Sequence, residues 1–314
     1  MVTERKFARR CPKNRQAALE ESAATGGNGA NLPIRPPIAP NRRPLHSPSR
    51  ILEHGPRHPH RSPSPFYPRI VATGSAPMKH PWQYDETIQV GTDYRDQKEV
   101  GLYDQRMQKL RNVGAEAQDI QRALSLPDHA LVWEIGTGTG ECALALAASA
   151  RHVYASDISP AMLEYASHKA ARRGITNVTF EAGGFLSGFR PSQPVDGVVT
   201  QLALHHLPDF WKSRALTAIA SSLRPDGRLY LRDVVFPSTI DDYDAFFETV
   251  VSEIHAHAGD EVALQTIAHI KSEFSTFDWI LEEMIARSGL KIVEKDCKGF
   301  LSVYVCQKIS GKDN

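Results

Sequence analysis

One stretch constrains this chain more than any other: Ala130-Leu131-Val132-Trp133-Glu134-Ile135-Gly136-Thr137-Gly138-Thr139-Gly140. Strand-like residues from Ala130 to Glu134 run through Ile135 into a loop with glycine at 136, 138 and 140. The residues that follow, Glu141 to Ala148, are mostly small and unbranched and read as a helix. A strand, a glycine turn and a helix together form a unit that grips a nucleotide-like ligand. Glycine reaches positive φ and lets the backbone come close, and the start of the helix presents free N–H groups.

The spacing narrows the ligand. A dinucleotide fingerprint requires G-x-G-x-x-G with the pyrophosphate on the helix N-terminus. Here the spacing is G-x-G-x-G behind an acid, Glu134. A carboxylate at that place repels phosphate and suits a cationic amino-acid group, which favours S-adenosylmethionine over a dinucleotide.

At Glu134-Ile135-Gly136-Thr137-Gly138-Thr139-Gly140 the chain resembles the class I S-adenosylmethionine-dependent methyltransferases. The resemblance implies an α/β fold: a Rossmann-like, seven-stranded, mostly parallel sheet with an antiparallel last strand and helices on both faces. It extends over about 80 to 308. Glu134, Gly136, Thr137, Gly138 and Gly140 are then cofactor-binding candidates. Asp157 ends the next strand-like run, 17 residues after Gly140, near the spacing at which an acid reaches ribose hydroxyls. The segment Asp157-Ile158-Ser159-Pro160-Ala161-Met162-Leu163 is similar to the second motif of that family, which places Ile158 against adenine. Ser159 and Pro160 open a helix as N-cap and first residue. After the third strand the family often carries Gly-Asp-Ala, but this chain has Ala182-Gly183-Gly184-Phe185. Glycine thus stands at 184 where an acid is expected, and Gly184 and Phe185 become candidates for holding adenine through backbone groups.

Ligands of doubly wound sheets sit outside the carboxyl ends of the strands. The fourth strand, Val195 to Gln201, is followed by Leu202-Ala203-Leu204-His205-His206-Leu207-Pro208, so Gln201 to His206 face the reacting methyl. Gln201 is a cofactor-binding candidate. His205 and His206 are candidate proton acceptors, because imidazole titrates near neutrality. Asp233, near the end of the fifth strand, completes the candidate catalytic set. Arg232 reads as an edge salt bridge or a contact for an acidic acceptor. No metal site is expected, since adjacent histidines diverge and Glu253, His255, His257 and His269 fit no compact ligand spacing.

Charge divides the chain. Residues 1–77 hold 13 Lys+Arg against 4 Glu, and 13 of the 21 prolines. Such a segment cannot bury enough apolar surface to order itself, so a disordered tail is expected. A transit peptide, a polyanion-binding arm and an over-extended reading frame ahead of Met78 all remain open, the last preferred. The remainder, 78–314, has 24 Lys+Arg against 32 Asp+Glu, which argues against a nucleic-acid substrate. Within it, 78–126 reads as a helical lid carrying Tyr84 and Tyr94. Residues 240–275 read as a helical insertion beside the acceptor pocket, and Thr276 as the cap of the next helix. Four scattered cysteines and no apolar run of membrane length point to a cytoplasmic protein. The expected activity is methyl transfer to a small-molecule acceptor. A nicotinamide oxidoreductase and a silent nucleoside-binding scaffold are the competing readings.

Overall fold

The computed structural model describes residues 80–88 and 97–310. The tail at 1–77, Met78 and Tyr94 lie outside the described residues. Seven strands form the main sheet: β1 (Leu131–Ile135), β2 (His152–Asp157), β3 (Val178–Ala182), β4 (Val195–Gln201), β5 (Leu223–Phe236), β7 (Leu290–Lys298) and β8 (Leu301–Lys308). Their spatial order is β3-β2-β1-β4-β5-β8-β7. The β3-β2-β1-β4-β5 part is parallel, and β8 runs antiparallel to both β5 and β7. The expected mostly parallel sheet with one reversed strand is therefore present. A two-residue strand, β6 (Thr276–Phe277), adds a parallel extension at the end of β5.

Side chains on a strand alternate between faces, and here they feed two buried clusters. Val132, Val153, Val199 and Tyr230 join one cluster with residues of α2 (Val113–Leu124), α3 (Glu141–Leu146) and α4 (Pro160–Arg172). Trp133, Ile135, Val198, Leu229 and Leu231 join the other with α5 (Asp209–Ser222) and α8 (Asp278–Arg287). Helix entries follow the expected chemistry. Ser159 accepts from the Met162 amide at 3.3 Å with Pro160 as the first residue of α4, and Asn112 caps α2 through the Ala115 amide. The remaining helices are α1 (Gln97–Leu110), α6 (Tyr243–Ala258) and α7 (Asp260–Ser272); α6 and α7 pack together between β5 and β6. Among the described residues no helix is long and apolar enough to cross a membrane.

Two details depart from the sequence reading. Residues 80–88 form turns, not helix. Thr276 is not a helix cap: it pairs in β6 and its hydroxyl donates to Asp209, while Asp278 accepts from the Trp279 amide and begins α8. In α5, Phe210 is 65% exposed, and the buried stripe begins at Lys212 and Ala215.

Trp133 ties the two clusters' shared strand in place: it is 1% exposed and its indole N–H donates to the Ser156 hydroxyl at 3.0 Å. Trp133→Ala is expected to lower the unfolding free energy by ~3–5 kcal/mol, read from urea melts.

Candidate functional site

The glycine loop is fastened to the end of β2. The Ser156 carbonyl accepts from both the Gly136 and Thr137 amides, at 2.9 and 3.0 Å. Asp157 accepts from the Gly138 amide at 2.8 Å through one oxygen and from the Ser159 amide at 2.8 Å through the other. Gly136, Gly138 and Gly140 all take positive φ. Their reasons differ. A Cβ at Gly136 would meet Ala203 at 2.6 Å, and one at Gly140 would meet Ala166 at 2.9 Å, so both admit close packing. A Cβ at Gly138 would meet nothing nearer than Tyr103 at 3.9 Å, and Gly138 borders a cavity.

Gly136, Asp157, Ile158, Gly184, Phe185, Gln201 and His206 also line that cavity, so most of the expected residues converge there. Burial raises the pKa of Asp157, opposed by the amides of Ser159, Gly138 and Ile158. The two oxygens offer about four lone-pair sites against these three amides, which leaves room for a ligand hydroxyl. Glu134 and Thr137 face a second space, which shares Tyr103, Gly136 and Gln201 with the first. Gly140 lines neither; it closes the bend against α4. Burial raises the Glu134 carboxyl to about 7, against the Thr137 hydroxyl that donates to it at 2.6 Å. Arg111, unremarked in the sequence, borders this second space and donates to Gln201 at 3.0 Å. The two spaces thus present a carboxyl, a guanidinium and an amide around one glycine bend. That donor set fits the ammonium, carboxylate, ribose and sulfonium groups of S-adenosylmethionine.

The three candidate catalytic residues separate. His206 lines the first cavity, whereas His205 and Asp233 stand behind it, 5% and 2% exposed. Asp233 accepts from the His205 Nδ1–H and from the His205 amide, the latter at 3.0 Å. Burial works against charge on His205, but the Asp233 and Glu273 carboxylates outweigh it and bring its pKa up to about 9. Burial and the neighbouring His205 push His206 down to about 4, so at neutral pH His206 is an uncharged imidazole facing the cavity. Arg232 pairs with Glu116 at 3.0 Å, the edge salt bridge.

The departure at Gly184 has a partner elsewhere in the chain. Glu86, from the turn segment before α1, is 7% exposed, borders the first cavity and reaches the loop after β3. Its carboxylate accepts from the amides of Phe185, Leu186 and Ser187 and from the Ser187 hydroxyl, at 2.6–3.0 Å. A Cβ at Gly184 would lie 2.6 Å from the Glu86 carboxyl carbon. Any side chain at 184 therefore excludes Glu86. No spacing rule joins residues nearly a hundred apart; the glycine standing in an acid's place was the one available signal. Glu86→Ala is expected to speed amide hydrogen exchange at Phe185, Leu186 and Ser187 by ~10-fold or more, with little change in β1 and β2, as mass spectrometry of exchange would read.

A family profile described as "Methyltransferase domain" matches residues 132–227. An uncharacterized methyltransferase of Anoxybacillus flavithermus is 28% identical over 162 residues, 52% of this chain and 70% of that protein. One from Geobacillus kaustophilus is 30% identical over 159 residues, 51% of this chain and 68% of that protein. Other curated relatives are matched over 40% to 82% of their length. Among solved structures, the YcgJ protein of Bacillus subtilis aligns at a TM-score of 0.47 and 18% identity, covering 62% of this chain and 98% of that one. With the acid–glycine bend, Asp157 and the sheet order in place, the chain belongs to the class I methyltransferases that use S-adenosylmethionine.

Proposed function

We propose that this protein transfers a methyl group to a small-molecule acceptor held in the cavity bordered by Gly138, Glu86 and His206. The observation that carries the reading is the junction of the two spaces at Gly136 and Gln201, roofed by the segment before and within α1. Tyr103 of α1 borders both. A recess shared with the donor and covered by these segments favours a small acceptor over a folded macromolecule.

When bound, S-adenosylmethionine supplies a methyl already activated by the positive charge on sulfur. The chain's residues then supply placement. Asp157 orients the ribose through the lone pairs left by Gly138 and Ser159. Ile158 and Phe185, which line the cavity, would hold adenine, and Glu86 fixes the 184–187 loop that carries Phe185. Glu134 faces the amino group and Arg111 the carboxylate. Alignment of this kind lowers a displacement barrier by up to ~7–11 kcal/mol. His206, uncharged at neutral pH, accepts the acceptor's proton where the acceptor is a neutral hydroxyl or carbon acid. Its low pKa makes it a weak base, suited to an acceptor that acidifies as the new bond forms. His205 and Asp233 position it from behind.

Labelled methyl from S-adenosylmethionine is expected in the low-molecular-mass fraction of a cell extract incubated with the protein; label confined to protein or nucleic acid would overturn the acceptor class. In calorimetry, Asp157→Ala should weaken donor binding ~10- to 100-fold, the loss of charge-assisted hydrogen bonds. Gly138→Asp should remove measurable binding, because the new side chain fills the ligand's space in a disfavoured backbone. Unchanged affinity in both would move the donor elsewhere. Donor affinity should also rise with pH from about 6 to 8. The cation favours ionised Glu134, whose free pKa is about 7, so below that pH binding must expel a proton. Glu134→Gln should weaken binding and flatten the profile.

A further inference from the structure

Behind the cavity wall, side chains from two separated parts of the chain meet. They are His205 after β4, His269 in α7 and Glu273 at the C-cap of α7. One donor atom from each lies within 4.8 Å of the others. We propose that His205, His269 and Glu273 form a binding site for a divalent transition-metal ion of the zinc, cobalt and nickel type. This goes beyond the methyl-transfer reading and does not depend on it.

The buried Glu273 oxygen carries the argument. Glu273 Oε2 lies 3.0 Å from His205 Nε2 and close to His269 Nδ1. Its side chain is 9% exposed, and both imidazoles face this one atom as ion-pair partners without a well-aligned hydrogen bond. Two ring nitrogens crowded on one buried carboxylate oxygen without an aligned bond to either call for an explanation. An ion between the three atoms supplies one. Ligands bound at ~2.0–2.1 Å in a tetrahedron sit roughly 3.3 Å apart, close to the His205–Glu273 separation.

The outer nitrogens of both rings are already held. His205 Nδ1 donates to Asp233, which itself accepts from the amides of His205 and Val234 at 3.0 and 2.8 Å. That bond orients the ring and turns Nε2 toward Glu273, where an entering ion would displace the ring proton. His269 Nε2 is 3.1 Å from the Ser275 hydroxyl, which leaves Nδ1 on the same side. A carboxylate or hydroxyl behind each ligating imidazole is the arrangement that orients metal-bound histidine. The Phe274 amide donates to the His205 carbonyl at 2.9 Å, locking Glu273 against the loop. Two imidazoles and one carboxylate suit a borderline cation better than magnesium, which takes all-oxygen sites. With three protein ligands, a fourth position is left for water. His269, 16% exposed in its side chain, marks the approach from solvent. Loaded, the ion would staple α7 to the loop that carries His206.

The test uses the full chain, stripped with EDTA and titrated with cobalt(II) chloride, then with zinc chloride by calorimetry. The expected result is a visible cobalt d–d spectrum that saturates at one ion for this site and is bleached by zinc. Glu273→Gln and His269→Asn should each abolish it, and Asp233→Asn should weaken it ~10- to 100-fold. His255→Ala with His257→Ala, on the exposed side of α6, should leave it unchanged. A spectrum and stoichiometry identical in Glu273→Gln and the parent would overturn the site, as would the absence of any cobalt spectrum. In either case the three residues would be an ion-pair network only. Should Glu273→Gln lose its far-ultraviolet dichroism, His269→Asn, at the more exposed ligand, decides alone.

Discussion

Two consecutive residues at the end of β2 hold the glycine bend open. The Ser156 carbonyl takes the Gly136 and Thr137 amides, and the Asp157 carboxylate takes those of Gly138 and Ser159. Four backbone donors that would otherwise point into a solvent gap are satisfied by the neighbouring strand. The cost of leaving buried donors unpaired makes this a rigid arrangement. Everything on the ligand side depends on it: the left-handed glycines, the start of α3 and the space above Gly138 keep their places because β1 and β2 are registered side by side.

The ionisable groups around that bend are sorted by depth. Glu134 titrates near neutrality because the sheet buries it, and a cation is the ligand that would relieve the burial. Asp157 is kept by amides, Glu86 by three more, and Asp233 by His205. No two of these carboxylates compete for one partner. The same sorting separates the two adjacent histidines. His205 turns toward carboxylates and His206 toward the cavity, and their pKa values are driven apart, to about 9 and about 4. Chain neighbours therefore acquire unlike chemistry from what each ring faces.

The helical segment between β5 and β6 contributes to this arrangement from a distance. Glu273, Phe274 and Thr276 reach the His205 loop and the start of α5: the Phe274 carbonyl accepts from Lys212, and Thr276 donates to Asp209. An excursion of some forty residues thus returns to brace the loop that borders the cavity. The pre-sheet segment does the same on the other side through Glu86 and through Tyr84, whose hydroxyl donates to the His206 carbonyl at 3.4 Å.

Local chemistry alone determined the strand–glycine–helix unit, the acid at 134, the acid ending β2 and the Ser159-Pro160 helix entry. Each is a rule about residues within a few positions, where sterics and backbone hydrogen bonding act without the rest of the chain. The parallel strands were legible for the same reason, as short apolar runs bounded by turn residues. Only the tertiary structure decided that Glu86 fills the place left by Gly184. It likewise decided that Phe210 stays outside while Lys212 goes in, that Arg111 faces Gln201, and that His269 and Glu273 meet His205. Those contacts join positions roughly 60 to 100 residues apart. Sequence spacing carries no distance at that range, because it is the packing of helices on the sheet that brings such side chains together.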